Sequence, residues 1–150
     1  MRVVIQRVSE ASVTIHGEIK DSIAGGFVVL LGIVDGDNHD DIDWLVSKII
    51  KMRIFPDAED KMNLSLQDID GALLVVSQFT LHAGTKKGNR PSFIKAARPE
   101  SAIPLYNAFI SAAEKELGHP CASGEFGADM KVSLINDGPV TIIIDSKVRE

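Results

Sequence analysis

The stretch Gly26-Phe27-Val28-Val29-Leu30-Leu31-Gly32-Ile33-Val34 decides the fold, because it is almost entirely apolar. A run of this length and composition predicts a buried strand. Before it, residues 2–15 are rich in valine and isoleucine and predict a long strand. His16-Gly17-Glu18 then predicts a hairpin turn into a return strand over 19–23. The first part of the chain therefore predicts three sequential strands.

The rest of the chain mixes helices with strands. Ile42, Leu45, Val46 and Ile49 recur at helical spacing after the turn and capping residues 35–38, which predicts an amphipathic helix. The other predicted elements are strands over 53–55 and 71–79, a loop over 82–91, a helix over 103–117 that Gly118 ends, and two strands over 130–135 and 140–144 joined through 136–139. This order predicts one α+β domain over residues 1–150, a curved, mainly antiparallel sheet or barrel with about two packed helices.

Charge is distributed unevenly along the chain. The formal net charge is −5, which is unfavourable for a protein that binds nucleic acid. The stretch from Leu81 to Arg98 nevertheless has no acidic residue and carries five basic ones, Lys86, Lys87, Arg90, Lys95 and Arg98. From the residues alone, this stretch is either a solvated basic loop or a site for a polyanion.

Cysteine content and hydropathy predict a cytoplasmic protein. Cys121 is the only cysteine, so no disulfide forms within the chain, as expected in a reducing compartment. The N-terminal apolar run breaks too early for a signal peptide, and the weakly polar run over 23–34 is too short to cross a bilayer. We expect no association with membranes.

Several common sites do not fit the sequence. An EF-hand loop beginning at Asp35 would have His39 at its fifth position and Val46 in place of the final glutamate. The four histidines are widely spaced, without a zinc-binding pattern. The chain also lacks a P-loop and a Gly-x-Ser-x-Gly elbow. We therefore expect no metal and no cofactor.

The first unusual segment is Ser77-Gln78-Phe79-Thr80-Leu81, at the exit of a predicted buried strand. Its polar groups either satisfy the strand end or form an oxyanion site from backbone N–H donors. Thr80 is the candidate nucleophile, although only His82 lies near enough in sequence to serve as its base.

The second unusual segment is Asn136-Asp137-Gly138-Pro139-Val140-Thr141. It is either an ordinary turn or a rigid wedge of backbone that presses against a ligand. The bond before Pro139 is a natural place for a cis peptide, because the cis form costs only about 0.5–1 kcal/mol before proline.

These two segments resemble the signature motifs of the D-aminoacyl-tRNA deacylase family, also called the D-tyrosyl-tRNA(Tyr) deacylase family. The matching residues run in order from residue 1 to about 145. Beyond the two motifs they are Gln6-Arg7-Val8, Ala11-Ser12-Val13, Phe55-Pro56-Asp57, Lys61-Met62-Asn63-Leu64, Gly88-Asn89-Arg90-Pro91-Ser92-Phe93 and Phe126-Gly127-Ala128-Asp129-Met130.

The resemblance implies a hydrolase that releases D-amino acids, and glycine, from mischarged tRNA. It implies a homodimer in which Gly138-Pro139 of one subunit, in the cis form, enters the partner's site and excludes L side chains, while Arg7 holds this element in place. The catalytic segment would be Ser77, Gln78, Phe79 and Thr80, which offer backbone groups to the ester while the 2′-hydroxyl of the terminal adenosine assists. The adenosine pocket would be lined by Phe126, Gly127, Ala128 and Met130.

In a tRNA enzyme, Lys86, Lys87, Arg90 and Lys95 are predicted to meet phosphates of the acceptor stem. Two other functions stay open from the sequence. One is a non-catalytic tRNA-binding dimer that uses the same basic loop. The other is a hydrolase of small esters that depends on Thr80 or a serine as nucleophile.

Overall fold

A computed structural model describes residues 1–150. The strands are β1 (Arg2–Ile15), β2 (Glu18–Ile23), β3 (Gly26–Gly32), β4 (Phe55–Pro56), β5 (Met62–Leu64), β6 (Ala72–Ser77), β7 (Ala122–Ser123) and β8 (Met130–Asp145). The helices are α1 (His39–Lys51) and α2 (Pro99–Leu117), and a 3-10 turn spans Phe79–His82. The predicted α+β class with two main helices is confirmed.

The long strand β1 organises the main sheet. One of its edges pairs antiparallel with β3 and then with β2, and the other edge pairs antiparallel with β8. On the far side of β3 the sheet continues with the parallel strands β6 and β7. The sheet curls far enough for Lys20 of β2 to donate to the carbonyl oxygens of Ser123 and Gly124. The result is the curved, nearly closed sheet that the sequence predicted.

Both faces of β3 are buried, as its apolar sequence predicted. Phe27, Val29 and Leu31 face α1 and α2 and belong to the larger core cluster. Val28 faces the inside of the curled sheet, where it packs with Leu74 and other residues of a second cluster. Two apolar layers on opposite faces therefore fix β3 and its neighbour β6.

Capping residues define the ends of the helices. Asn38 accepts hydrogen bonds from the N–H groups of Asp40 and Asp41, and the Asp41 carboxylate accepts from the Asn38 N–H, which completes a capping box. Gly118 ends α2 in the left-handed conformation, at φ +81°. The predicted start of α2 at residue 103 was too late, because Pro99 occupies the first helical position, where a missing N–H costs nothing.

The predicted pair of strands over 130–135 and 140–144 is wrong, since one strand, β8, runs through both segments. Val8 pairs with Asn136, and Gln6 pairs with Thr141. Between these two pairs β8 advances by five residues while β1 advances by two. The extra residues of β8 therefore bulge out of the sheet, and the strand continues in the same direction. The strand predicted over 53–55 consists instead of Phe55–Pro56.

No helix of the protein combines the length and apolar character that crossing a membrane requires.

Candidate functional site

Strand β6 ends at the first candidate segment. The N–H of Gln78 still donates to the Leu31 carbonyl, at 2.8 Å, so the strand pairing holds the backbone up to this point. The first hydrogen bond of the following turn runs from the N–H of Leu81 to the Gln78 carbonyl. The N–H groups of Phe79 and Thr80 precede that bond and have no acceptor in the turn. Both residues are exposed, so these donors are open to a ligand.

The Thr80 hydroxyl has no basic partner. Its oxygen accepts a hydrogen bond from the Gln78 side-chain amide at 2.5 Å. His82 is buried, its Nε2 has no hydrogen-bond partner, and its ring lies against Gly32. Burial lowers the pKa of His82 below its usual 6.5, so the ring stays neutral. The only nearby histidine therefore lies in the core and is not hydrogen-bonded to Thr80.

The second candidate segment forms an exposed backbone projection from β8. The Gly138–Pro139 peptide bond is cis, and both residues are exposed. The Arg7 side chain is buried and donates to the carbonyl oxygens of Asp137 at 2.7 Å and Ile54 at 2.5 Å. The Arg7 guanidinium thus ties the projection to the segment that follows α1.

Asn136 closes the projection from the other side. Its side-chain oxygen accepts from the N–H of Val140 at 2.7 Å, and its amide donates to the Thr141 hydroxyl at 3.0 Å. Gly138 adopts φ +147°, and a β-carbon there would lie 2.7 Å from Cγ2 of Val140 and 3.0 Å from the Arg7 guanidinium. The backbone position therefore requires glycine.

The two candidate segments are far apart within one chain. Ser77 pairs with Leu31, Leu31 with Val3, and Val3 with Ile144, so Ser77 is level with the end of β8 and three strands away from it. Pro139 lies several residues back along β8. Standard strand spacings put the two segments on the order of 15–20 Å apart. One chain does not bring them together.

The segment around residues 126–130 adjoins β6. The N–H of Gly124 donates to the Val75 carbonyl, and the Tyr106 hydroxyl donates to the same oxygen. Burial raises the pKa of Tyr106 to about 12, which keeps that donor protonated. Phe126 packs edge-on against Tyr106, with ring centroids 5.9 Å apart. The remaining predicted pocket residues follow: Gly127 and Ala128 in a turn, and Met130 at the start of β8 with its sulfur against Gly124.

The predicted basic loop is exposed. Lys86, Lys87, Arg90 and Lys95 all face solvent, and none of them forms an ion pair. Two hydrogen bonds between the backbones of Gly84 and Ser92, at 2.7 and 2.9 Å, close the part of the loop that carries Lys86, Lys87 and Arg90. The loop therefore leaves the body of the protein directly beside the Phe79–His82 turn.

A groove of about 720 Å³ opens between α1, the end of β8 and the turn at Leu81. Arg2 lines it and donates to the Leu81 carbonyl, which connects the groove to the first candidate segment. Ile143 and Val148, also in its lining, are 68% and 59% exposed. An apolar surface of this kind beside a candidate site is typical of a contact with another protein surface.

Two contacts at the candidate segments illustrate what sequence reasoning missed. The Ile54 carbonyl is an acceptor for Arg7, but any residue supplies a carbonyl, so no sequence signal could identify it. The ring of Phe93 packs against Phe79. The presence of an aromatic residue both before and after Lys86, Lys87 and Arg90 was the sequence signal that could have predicted this contact. No group of three or more His, Cys, Asp or Glu side chains is placed to hold a metal ion.

The chain is similar to known proteins over its whole length. A D-aminoacyl-tRNA deacylase of Flavobacterium johnsoniae is 63% identical over 150 residues, and one of Bacteroides fragilis is 59% identical over 150 residues, each covering 100% of both chains. A solved structure named c-Myc DNA unwinding element binding protein is 41% identical, with a TM-score of 0.89, and the match covers 97% of this chain and 98% of the other.

A second solved structure, of a probable eukaryotic D-amino acid tRNA deacylase, shares the fold with a TM-score of 0.81 at 18% identity, and the match covers 95% of this chain and 97% of the other. The family model described as D-Tyr-tRNA(Tyr) deacylase matches residues 4–145. The match spans both candidate segments. The chain therefore belongs to the D-Tyr-tRNA(Tyr) deacylase family.

Proposed function

We propose that this single domain hydrolyses the ester bond of D-aminoacyl-tRNA in the cytoplasm and releases the D-amino acid and free tRNA. Family membership and relatives named D-aminoacyl-tRNA deacylase support this function. The observation that carries the proposal is the exposed Gly138–Pro139 projection, fixed by Arg7 and Asn136. Such a rigid piece of backbone suits a site that recognises the mirror form of a residue rather than its side chain.

The active site is shared between two subunits in this proposal. Within one chain the projection and the Ser77–Thr80 segment are too far apart to hold one aminoacyl group. We place the two-fold contact at the groove beside Ile143, with the projection of one subunit reaching the Ser77–Thr80 segment of its partner. The exposed apolar residues in that groove favour the homodimer.

Catalysis relies on backbone groups and on the RNA. The free N–H groups of Phe79 and Thr80 are suited to stabilise the oxyanion of the tetrahedral intermediate. Because Thr80 has no base beside it, we assign activation to the neighbouring 2′-hydroxyl of the terminal adenosine, which proximity favours. Phe126, Gly127, Ala128 and Met130 contribute to the adenosine pocket, and the basic loop binds acceptor-stem phosphates.

Selection works by exclusion in this proposal. The carbonyls of Gly138 and Pro139 bind the α-amino group and leave no room for the β-carbon of an L residue. A clash with backbone rejects every L side chain, whatever its chemistry, so one site serves many D-amino acids. Glycine has no β-carbon, so glycyl-tRNA is a substrate as well.

The test uses matched D-aminoacyl-, L-aminoacyl- and glycyl-tRNA with the purified protein in the presence of a chelator. We expect the D and glycyl esters to be lost and the L ester to survive. Binding of tRNA without cleavage would instead support the non-catalytic alternative. A glycyl ester as resistant as the L ester would refute the exclusion mechanism.

A second variant separates the proposal from a threonine esterase. We expect Thr80→Ala to keep substantial activity on D-aminoacyl-tRNA, because the hydroxyl is not the nucleophile. Complete loss of turnover with an intact fold would assign the nucleophile to Thr80.

A further inference from the structure

An exposed apolar surface adjoins the proposed site, and its side chains have no role in the mechanism above. Phe79, Phe93 and Ile94 are 53%, 39% and 90% exposed. The rings of Phe79 and Phe93 meet edge to face, with centroids 5.1 Å apart and an interplanar angle of 78°. Single exposed apolar residues are common, but here an exposed isoleucine directly follows one ring of an exposed aromatic pair; we call Phe79, Phe93 and Ile94 the patch.

The patch is held in place by backbone hydrogen bonds on both sides. Before it, Ser92 exchanges two hydrogen bonds with Gly84. After it, the N–H of Ala96 donates to the Phe93 carbonyl, and the N–H of Ala97 donates to the Ile33 carbonyl at 2.9 Å. Phe93 and Ile94 therefore keep a fixed position relative to the Phe79–His82 turn.

The charge around the patch indicates the chemistry of its partner. Lys86, Lys87, Arg90 and Lys95 lie in the same exposed part of the chain, no acidic residue occurs between 81 and 98, and none of these cations is paired. Aromatic surface combined with cations is the arrangement by which proteins bind single-stranded nucleic acid. A second copy of this chain fits the patch poorly, because two such loops would repel and lysine is depleted from protein interfaces.

We propose that Phe93 and Ile94 form a stacking platform for the unpaired nucleotides that immediately precede the aminoacylated adenosine. The inference rests on the proposed function, in which the ester of that adenosine lies beside Phe79. Its neighbours in the single-stranded 3′ end would then pass over Phe93 while their phosphates meet the basic loop. The platform selects tRNA over free aminoacyl esters and takes no part in the chemical step.

The kinetic test compares two substrates, D-tyrosyl-tRNA and the 3′-O-D-tyrosyl ester of adenosine, which lacks the preceding nucleotides. We expect Phe93→Ala to raise KM for the tRNA about tenfold with little change in kcat, because one base loses its stacking partner. Phe93→Tyr keeps the ring and should restore the wild-type KM. Both variants should hydrolyse the adenosine ester like the wild type.

Ile94→Ala provides a variant without risk to folding, since the side chain is 90% exposed. We expect it to raise KM for tRNA several-fold. Ile19→Ala is the matched control, because Ile19 is also an exposed isoleucine, at 67%, and lies on β2. It should leave both substrates unaffected.

A binding measurement tests the platform without any hydrolysis. The probe is uncharged tRNA with 2-aminopurine in place of the nucleotide before the terminal adenosine. Its fluorescence should be quenched on binding the wild type and Phe93→Tyr, but not on binding Phe93→Ala. Equal quenching by all three proteins would overturn the platform. An equal loss of Phe93→Ala activity on both substrates would also overturn it, because Phe93 would then only support Phe79. A changed oligomeric state of Phe93→Ala would overturn it as well.

Failure of the proposed function would look different. The wild type would then hydrolyse neither D ester, while the fluorescence measurement would still decide whether Phe93 and Ile94 bind the 3′ end.

Discussion

The N–H of Phe79 is a single donor whose contribution can be measured. Residue 79 is the first of its 3-10 turn and its N–H makes no hydrogen bond of that turn, so proline at this position removes the donor without breaking a hydrogen bond of the turn. We expect Phe79→Pro to lower the single-turnover rate on D-aminoacyl-tRNA about 10²–10³-fold, the usual effect of losing one oxyanion donor. Phe79→Ala is the control that removes the ring and keeps the N–H. Equal rates for the two variants would show that this donor is not used.

His82 should make the stability of the fold depend on pH. Its pKa in the folded protein is lowered by burial, whereas in the unfolded chain it titrates near 6.5. As the pH falls below about 6.5, the unfolded chain binds a proton that the folded protein does not, so the free energy of unfolding decreases. That loss continues until the pH reaches the lowered pKa of the folded state.

Urea unfolding between pH 8 and pH 5 measures this effect, and His82→Gln is the non-titrating control. The variant should show a flatter pH dependence over this interval, where the aspartates with lowered pKa values remain ionised in both states. A slope identical to the wild type would assign the pH dependence to other groups.

At the scale of single elements, the basic loop should account for the salt dependence of tRNA binding. We expect Lys86→Ala combined with Lys87→Ala to weaken binding and to reduce the slope of log K against log salt by up to about two. The matched control is Lys61→Ala with Lys131→Ala, because both lysines are exposed but already paired with acidic neighbours. An unchanged slope in the loop variant would place the phosphate contacts elsewhere.

The elements with strong local patterns were predictable from the sequence. The apolar run 26–34 and the helical spacing from Ile42 to Ile49 both correspond to real elements, because burial on a defined face sets each pattern. The course of β8 was not predictable. Glycine and proline in 136–139 resemble a turn, but pairing with the distant strand β1 decides that the chain bulges instead of reversing.

The candidate site shows the same limit. The resemblance pointed to the segments around Thr80 and Pro139. The acceptors of Arg7 are carbonyl oxygens, and the packing of Phe93 on Phe79 joins residues on different segments. Contacts of these kinds depend on tertiary geometry, so neither sequence pattern nor local propensity could reveal them.

In our proposal each subunit contributes one segment to each of the two active sites of the dimer. Mixed dimers test this. Phe79→Pro damages one segment and Gly138→Ala the other, where a β-carbon would clash with Val140 and Arg7. When the two inactive variants are unfolded together and refolded, half of the dimers are mixed and each regains one intact site. We expect about a quarter of wild-type activity.

The control is a chain with both changes, which should stay inactive when mixed with either single variant. If both segments of one chain formed the site, no mixture of the two variants would contain an intact site, and activity would not return.

The Gly138–Pro139 projection lies where the ladder between β1 and β8 loses its register. Arg7 on β1 holds it through the Asp137 carbonyl, and Asn136 holds it through Val140 and Thr141 within β8. The Ser77–Thr80 segment, by contrast, follows a strand buried on both faces. We therefore expect heating to make the Gly138–Pro139 projection mobile at a lower temperature than the Ser77–Thr80 segment. As the temperature rises, hydrolysis of L-aminoacyl-tRNA should increase relative to that of D-aminoacyl-tRNA, while the rate on the D ester is still increasing.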